Sequence, residues 1–565
     1  MDATLVPTEL LVPPDAHSRG FCRHDAALVI DGYLRRLASQ EARCRLVLGR
    51  LAHVFLRRCA HHALGFARVD DYARERLGWS GRTLQSAAAV AKRLATLPAV
   101  TGAFEAGALT WAHVRLLACV ATAETEAAWL ALARGRTVRA LETLARERGG
   151  PRDEDDGEPH VRVRLRCPRR TRRLWRDVVE LERRMAGAQV ADGAAAEAIA
   201  AEGLSARSAS TTSWPESHRS PEVESPDPDE TPAAFAPVLD WSAVAEAVPA
   251  DVAVLADADD IDPVDLDARL RGVVRAMQQI DWQTGRLLRI VFDRRLYALM
   301  LFRSAARYVR ERLGISERKA RALVALERQS WNAPELGEAY RAGTLSWLRA
   351  LTVLPVASEK MAAAWVGRAQ EVTIRRLSDE VEWALASRVP FDPVAPPPPG
   401  AALTEPERQI GADAEPPYPD TEVAFAAPAS VVALFRTAVL AFTGPAEPIW
   451  RGFERLLEHV KAEWESQPRH RDPIFARDRW RCAVPVCSSR KQLHDHHIVF
   501  RSRGGDNGRD NRITVCAWHH LRGIHVGVVR ASGEAPANIT WELGVRTGRR
   551  PLLRLHGDHY LHRVG

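Results

Sequence analysis

The same pattern of residues occurs twice in this chain, at a constant offset of 236 positions. The segment YARERLGWSGRT begins at Tyr72 and matches YVRERLGISERK at Tyr308, while AGALTW at 106–111 matches AGTLSW at 342–347. The alignment continues without a gap from about residue 31 to about residue 145. Self-similarity at a fixed offset indicates one structural unit used more than once. We therefore expect two domains of the same fold.

Apolar residues in each copy fall at helical spacing. Leu34, Leu37 and Leu51 belong to stripes with the intervals of helices that bury one face. The matched tryptophans Trp111 and Trp347 are expected to anchor the cores, because large aromatic side chains bury much apolar area. The predicted fold class is therefore mainly α, with internally duplicated helical domains followed by a small C-terminal domain.

One segment of each copy leaves two interpretations open. RERLGWSGRTLQ in the first copy and RERLGISERKAR in the second have the order helix, glycine turn, serine cap and basic helix. A DNA-binding helix-turn-helix has this order, and two copies would grip DNA as a pseudo-dimer. An ordinary helical hairpin capped by Ser80 or Ser316 has the same order. We favour the hairpin.

Composition and pattern divide the chain into seven segments. A strand-like run, a proline and a helix follow each copy, and Ser/Pro/Asp/Glu-rich and Pro-rich stretches predict linkers. The predicted segments are the first helical copy with its strand-helix extension at 20–190, an acidic linker at 191–255, the second copy at 256–387, a Pro-rich linker at 388–420, the extension of the second copy at 421–468, a C-terminal domain at 469–545 and a basic tail at 546–565.

The C-terminal domain carries two pairs of metal ligands. Cys482 and Cys487 enclose a four-residue loop, and Cys516 and His519 form a C-x2-H pair. Three sulfur donors and one nitrogen donor suit a tetrahedral zinc site, with bonds of about 2.0–2.3 Å. One structural zinc would stabilise a module too small to bury an adequate core.

Two adjacent histidines, His496 and His497, lie between these ligand pairs in a segment that reads as a strand, LHDHHIVF. Adjacent strand residues point to opposite faces, so the two imidazoles cannot bind one ion equally. One can hold a metal while the other acts as a base, since an ordinary histidine pKa of about 6.5 suits neutral pH.

Residues 477–535 resemble the HNH endonuclease family, whose ββα-metal motif has a His-His strand, a Gly-rich turn, an Asn-bearing strand and a helix with the last histidine. The resemblance implies metal-dependent hydrolysis of DNA to 5′-phosphate and 3′-hydroxyl ends. It implies His497 as general base, Asn511 as the residue that orients it, and His496 and His520 as ligands of one catalytic divalent ion. It also implies a structural zinc on the four Cys and His ligands. The catalytic ion is left open among Mg, Mn, Ni and Zn.

Two assignments in this module stay open. His525 follows His520 by five residues, instead of the three or four that place two side chains on one α-helix face, so it is only a candidate third ligand. A shifted register would make Asp495 a ligand and His496 the base. Three neighbouring arginines are expected to bind phosphate groups: Arg501, Arg503 and Arg509.

Charge favours a polyanionic partner. Residues 451–565 contain 21 Lys and Arg against 12 Asp and Glu, a net charge of +9, whereas the whole chain carries +7, which leaves −2 for the first 450 residues. We expect double-stranded DNA as the partner. Two alternatives are a non-catalytic zinc-stabilised nucleic-acid-binding protein and a scaffold whose nuclease needs a protein partner bound to the helical copies.

The helical part adds little about function. Its LG-x-S turn and AG-x-L-[TS]-W segment resemble a helical domain of unknown function that often precedes HNH modules in bacterial proteins. Five scattered cysteines and the absence of a signal-like start predict a cytoplasmic location. No apolar run reaches the roughly 20 residues of a membrane helix, so no membrane contact is expected.

Overall fold

The computed structural model describes residues 23–148, 160–187, 190–205, 261–387, 393–401, 403, 419, 421–466 and 472–563. Over these residues the protein is mostly helical, with small antiparallel sheets. The chain divides into two compact units. Unit 1 contains Met1–Pro151, Pro226–Glu405 and Glu542–Gly565, and unit 2 contains Arg152–Ser225 and Pro406–Trp541. No helix in the described part of the chain combines the length and apolar character needed to cross a membrane.

Unit 1 contains two series of helices. The first series is Arg23–Arg57, Ala60–Ala63, Val69–Tyr72, the π-helical turn Ala73–Leu77, Gly81–Leu94, Pro98–Glu105, Trp111–Val120, Glu126–Ala133 and Val138–Glu147. The second series is Pro263–Asp293, Leu296–Leu299, Ala305–Tyr308, the π-helical turn Val309–Leu313, Glu317–Asn332, Pro334–Arg341, Trp347–Val353, Ala362–Glu371 and Ile374–Ser387. Several starting points, including those of the π-helical turns, lie 236 residues apart.

Local signals explain where these helices begin. The Ser80 hydroxyl accepts a hydrogen bond from the backbone N–H of Thr83 at 3.2 Å, and Ser316 accepts one from Lys319 at 3.2 Å. Each bond satisfies an N–H group that has no partner within the helix. The long helices Arg23–Arg57 and Pro263–Asp293 pack against each other. Trp111 is buried in a core of the first series, while Trp347 is partly buried against a core of the second.

The glycine turns of the two series pack against the opposite series. Gly78 and Gly314 have φ of +66° and +70°, a conformation that favours glycine. A Cβ atom on Gly78 would come within 2.5 Å of Ser346, and one on Gly314 within 2.6 Å of Thr110. These turns therefore contribute to the interior contacts of unit 1.

The two series also exchange matching polar contacts. Asp267 is fully buried and accepts hydrogen bonds from the Tyr72 hydroxyl at 3.1 Å and from the Arg76 Nε at 3.0 Å. The residues at corresponding positions in the opposite series make the same bonds: Asp31 accepts from Tyr308 at 3.0 Å and from Arg312 Nη2 at 2.8 Å. The contact is thus made twice, in opposite directions, as across an isologous interface.

A second reciprocal pair lies at helix N-termini. Glu75 accepts from the backbone N–H of Ile374 at 3.1 Å, and Glu311 accepts from that of Val138 at 2.6 Å. A carboxylate in this position satisfies N–H groups that have no partner within the helix and interacts favourably with the helix dipole.

Unit 2 combines helices with short strands. Its helices are Arg169–Ala186, Asp192–Ser205, Ala429–Ala441, Ile449–Glu465 and Pro473–Arg477, with a 3-10 turn at Arg501–Arg503 and a π-helical segment at His519–Ile524. Its strands are β1 (His160–Cys167), β2 (Thr421–Pro428), β3 (Leu493–His497), β4 (Arg512–Cys516), β5 (Val529–Glu534) and β6 (Asn538–Leu543), and the chain returns to unit 1 within β6.

The predicted strand-helix extensions form one layer of unit 2. Strands β1 and β2 pair antiparallel, with Val163 opposite Phe425. Trp175, on the helix after β1, stacks on Phe425 with ring centroids 5.4 Å apart. The inward residues of both strands join a single apolar core with the four following helices.

Three predicted boundaries were wrong. The extension within 20–190 belongs to unit 2, because its strand completes a sheet with β2. The predicted linker 191–255 begins with helix Asp192–Ser205, whose alanine-rich face is buried; its remainder lies outside the described residues. Within the predicted tail 546–565, strands β7 (Leu553–His556) and β8 (His559–Arg563) form an antiparallel hairpin in unit 1.

Candidate metal centre

A short hairpin positions most of the candidate site. Strands β3 and β4 pair antiparallel, with His496 opposite Ile513 and His497 opposite Arg512. The carboxylate of Asp478 accepts a hydrogen bond from the backbone N–H of Thr514 at 2.8 Å and so connects β4 to the end of helix Pro473–Arg477. The two histidines therefore lie on opposite faces of a braced hairpin.

The predicted zinc ligands converge in the structure. Cys482, Cys487, Cys516 and His519 are all buried, and their donor atoms lie within 4.8 Å of one another. His519 Nδ1 is 3.5 Å from the Cys482 sulfur and 3.3 Å from the Cys516 sulfur. A shared zinc with bonds of about 2.0–2.3 Å requires donors at such separations. This cluster could hold a metal ion such as zinc.

Backbone hydrogen bonds hold the sulfur ligands in position. The N–H of Ser489 donates to the Cys487 sulfur at 3.4 Å. The N–H of Ala483 donates to the carbonyl of Thr514 at 2.7 Å, which joins the first knuckle to β4. Outer contacts of this kind fix metal ligands in position.

The pKa values of Cys516 and His519 are shifted by their neighbours in the cluster. Hydrogen bonds with Cys482 and Cys487 hold the pKa of Cys516 far below its usual range. Burial lowers the pKa of His519, but the neighbouring Cys482 and Cys516 sulfurs outweigh that effect and raise it to about 10. A metal ion bound here would displace the His519 proton, because only the unprotonated imidazole nitrogen can coordinate.

A second cluster contains only histidines. His496, His520 and His525 have donor atoms within 4.8 Å of one another. Their ring centroids are 4.9 Å apart for His496 and His520, 4.9 Å for His520 and His525, and 5.6 Å for His496 and His525. The structure therefore brings the candidate third ligand, His525, to the two predicted ones.

A π-helical segment explains the five-residue spacing. His519–Ile524 is π-helical, and the backbone N–H of His525 donates to the carbonyl of His520 at 3.2 Å. Bonding between residues five apart defines this helix, which therefore aligns side chains that an α-helix would separate. The same segment turns His519 toward the sulfur cluster and its neighbour His520 toward the histidines.

The innermost histidine has the properties of a metal ligand. His496 is 4% exposed, and its Nε2 is buried with no hydrogen-bond partner among the described residues. Burial, together with the charges that His520 and His525 would carry, lowers its pKa to about 4. A neutral imidazole with an orphaned buried nitrogen fits a metal, because only the unprotonated nitrogen can coordinate.

His494, which was not among the predicted site residues, is a neighbour of this cluster. It lies two residues before His496 and therefore on the same face of β3. Its Nδ1 is 2.8 Å from Nδ1 of His520. Such a bond orients a ligating ring and fixes which nitrogen carries the proton. Strand periodicity around the His-His pair could have indicated it.

The predicted base has an unexpected partner. His497 is half-buried, and its Nε2 lies 3.0 Å from Oδ1 of Asn507. An amide oxygen only accepts hydrogen bonds, so Nε2 carries the proton and Nδ1 has the lone pair. Asn507, which was not among the predicted site residues, lies in the glycine-rich loop between β3 and β4.

Asn511 holds that loop instead of contacting His497. Its side-chain oxygen accepts from the N–H of Val499 at 2.8 Å, and its amide nitrogen donates to the carbonyls of Val499 at 3.1 Å and Asp506 at 2.9 Å. Gly505 permits this closure, since an added Cβ would lie 1.8 Å from the Val499 carbonyl oxygen. Asn511 thus acts on His497 only through the loop that carries Asn507.

Charged residues of the hairpin separate into two groups. Asp495 forms an ion pair with Arg512 and is outside the histidine cluster, so the geometry does not favour the shifted register.

The three predicted phosphate-binding arginines are all exposed, and no ion pair is found for them among the described residues: Arg501, Arg503 and Arg509. Their charges are therefore available to an anionic ligand.

Comparison of the chain with family models, curated proteins and solved structures found no match. Inference about function therefore rests on the geometry and chemistry of the centre itself.

Proposed function

We propose that this protein is a metal-dependent endonuclease of the HNH type that hydrolyses DNA phosphodiester bonds. The observation that supports this most is the three-histidine cluster beside His497, a fourth imidazole on the opposite face of β3 with an oriented ring. A purely structural zinc module would need neither the second cluster nor the Asn507 contact.

The histidine cluster would hold the catalytic divalent ion through His496, His520 and His525. The bound ion would stabilise the charge that develops on the phosphate and on the leaving 3′ oxygen. His494 would keep the His520 ring in place through its 2.8 Å contact. The phenyl ring of Phe500, stacked on His525 with centroids 5.3 Å apart and nearly parallel planes, would restrict the third ligand.

His497 would act as the general base. Its protonated Nε2 is held by Asn507, so Nδ1 can accept a proton from the water that attacks phosphorus. Asn511 and Gly505 keep the loop closed and thereby set the position of Asn507. The exposed loop arginines would bind the flanking phosphates, as arginines commonly do.

We also infer that the two helical series of unit 1 are copies of one fold. The sequence match, the π-helical turns 236 residues apart and the reciprocal contacts of Asp31 and Asp267 support this. The copies would then pack as an intramolecular pseudo-dimer.

The deciding experiment is plasmid cleavage by the purified chain with Mg²⁺, Mn²⁺, Ni²⁺ or Zn²⁺, beside His497→Ala and an EDTA control. We expect nicked or linear product that needs both the added ion and His497. His556→Ala, which changes a histidine of β7 in unit 1, is the matched control and should retain cleavage. Cleavage by His497→Ala at the wild-type rate would refute the base assignment.

Other outcomes would identify the alternatives. DNA retarded on a gel without any cleavage would favour a zinc-stabilised binding module. Cleavage that appears only after addition of a cell extract would favour a partner-gated enzyme. Zinc content measured on the same samples separates these results from loss of the sulfur cluster.

A further inference from the structure

Strand β1 presents a row of arginines that the proposed centre does not use. The burial of its residues alternates: Val163, Leu165 and Cys167 face the core, whereas the residues between them are exposed. Three of the exposed residues are arginines at alternate positions: Arg162, Arg164 and Arg166. We call these three residues the arginine row.

Little on the same face competes for the charge of the arginine row. The residues opposite it on β2 are Ala426, Ala424 and Glu422. Among the residues that the structure describes, the acidic neighbour is Glu422, which lies 3.8 Å from Arg164; both side chains are exposed, so this pair is weak. No ion pair is found for Arg162 or Arg166 among the described residues. The face of β1 and β2 that carries the row is therefore positively charged over its described residues.

The spacing of the row suits a phosphate backbone. Alternate strand residues are about 6.6 Å apart, so three of them extend over about 13 Å. One DNA strand carries a phosphate per about 3.4 Å of helix axis. Several phosphates therefore lie within reach of the three guanidinium groups, which are better matched to phosphate oxygens than an ammonium group is.

A single helix connects the row to the metal-binding module. Helix Arg169–Ala186 follows β1 directly and has 18 residues, a length of about 27 Å. In the second half of this helix, Glu180 forms an ion pair with Arg490, in the loop before β3. The row and the metal centre are thus parts of one unit, linked through this helix.

We propose that the arginine row binds the phosphate backbone of duplex DNA away from the cut site, an inference that rests on the proposed nuclease function. The contact carries no sequence information and would increase affinity and fix the orientation of the duplex. Anionic lipid is the competing ligand class, but a row within the unit that carries the proposed phosphodiester-cutting centre favours DNA.

The test measures the affinity of the full chain for a labelled 30-base-pair duplex by fluorescence anisotropy, across KCl concentrations and without added divalent ion. The variant is Arg162→Gln, Arg164→Gln and Arg166→Gln together. Loss of three phosphate contacts should lower the slope of log affinity against log salt by about 2 to 3 and weaken binding at 0.1 M salt on the order of 10- to 100-fold.

Two control variants locate the effect. The same three positions changed to lysine keep the charge and should keep most of the slope. Three exposed arginines of unit 1 changed to glutamine remove equal charge elsewhere and should leave the slope unchanged: Arg134, Arg139 and Arg146. Thermal melting and zinc content of each variant confirm that it is folded.

The proposal is overturned if the glutamine row variant binds DNA like the unit 1 control, or if the wild-type chain does not bind duplex DNA. It is also overturned if the row variant loses binding only to vesicles of phosphatidylserine. Row-dependent binding in a chain that cleaves nothing with any metal would support the row and refute the nuclease, so the two failures are distinguishable.

Discussion

The reciprocal aspartates of unit 1 allow a stability prediction with an internal control. Asp267 has a fully buried side chain, and its main partner Arg76 is only 5% exposed. Asp31 occupies the corresponding position, but its partner Arg312 is 40% exposed. Both contacts join an aspartate to a tyrosine and an arginine, but Asp267 also accepts a hydrogen bond from Arg271. Burial and this second guanidinium should together determine the cost of removing each carboxylate.

Asp267→Asn should therefore cost far more than Asp31→Asn. Removal of one partner from a buried ion pair leaves an uncompensated charge, which costs about 3–5 kcal/mol. Arg271, whose Nε also donates to Asp267 at 3.0 Å, would lose its partner too. At Asp31 the guanidinium of Arg312 can return to water, so the expected cost is about 1 kcal/mol.

Chemical denaturation followed by tryptophan fluorescence and circular dichroism provides the assay. The chain has two units, so the midpoint of the unit 1 transition is compared instead of one global free energy. Equal midpoint shifts for the two variants would refute the argument from burial. A shift for Asp267→Asn equivalent to less than about 1 kcal/mol would show that Arg76 finds another partner.

Four further predictions concern pH and the metal centres. Burial alone would raise the pKa of Asp267, but Arg76 and Arg271 hold it below its usual value. The contribution of this carboxylate to stability is therefore complete above about pH 4 and is lost as the pH falls below that. Acid titration of the unit 1 midpoint, compared with that of Asp267→Asn, measures this loss. Cys482→Ser should abolish zinc binding by the sulfur cluster and unfold its module, because a structural zinc contributes about 10 kcal/mol or more to folding; unchanged zinc stoichiometry would contradict this. His525→Ala should weaken binding of the second ion by more than about 10-fold while the zinc content stays the same, as titration calorimetry with Mn²⁺ can determine. Asn507→Ala should slow cleavage about 10-fold with both metal contents intact, and an unchanged single-turnover rate would show that His497 needs no orienting partner.

Much of the hairpin could be predicted because its signals are local. Because adjacent strand residues point to opposite faces, His496 and His497 could be placed on the two faces of a strand. The four predicted zinc ligands follow from the spacing of two short knuckles. The sulfur cluster was confirmed as a possible metal site. The histidine cluster was predicted only in part, because helical periodicity of 3.6 residues argued against His525.

The remaining features depend on geometry that sequence spacing does not encode. The π-helical segment that aligns His525 with His520 has no composition signal of its own. Asn507 reaches His497 because Gly505 permits the loop to close on Val499. This contact depends on the folded loop and not on spacing along the chain. The boundaries of the units were missed because β1 and β2, which pair in one sheet, lie more than two hundred residues apart along the chain.

The π-helical segment also couples the two metal-binding clusters. His519 belongs to the sulfur cluster, and the next residue, His520, belongs to the histidine cluster. Since a structural zinc would fix His519, it would also fix the backbone from which His520 and His525 extend. Loss of the zinc should therefore weaken the second site without any change to its own ligands, whereas loss of His525 should leave the zinc in place. This asymmetry follows from burial, because the sulfur cluster lies inside the module and the histidine cluster opens at its surface.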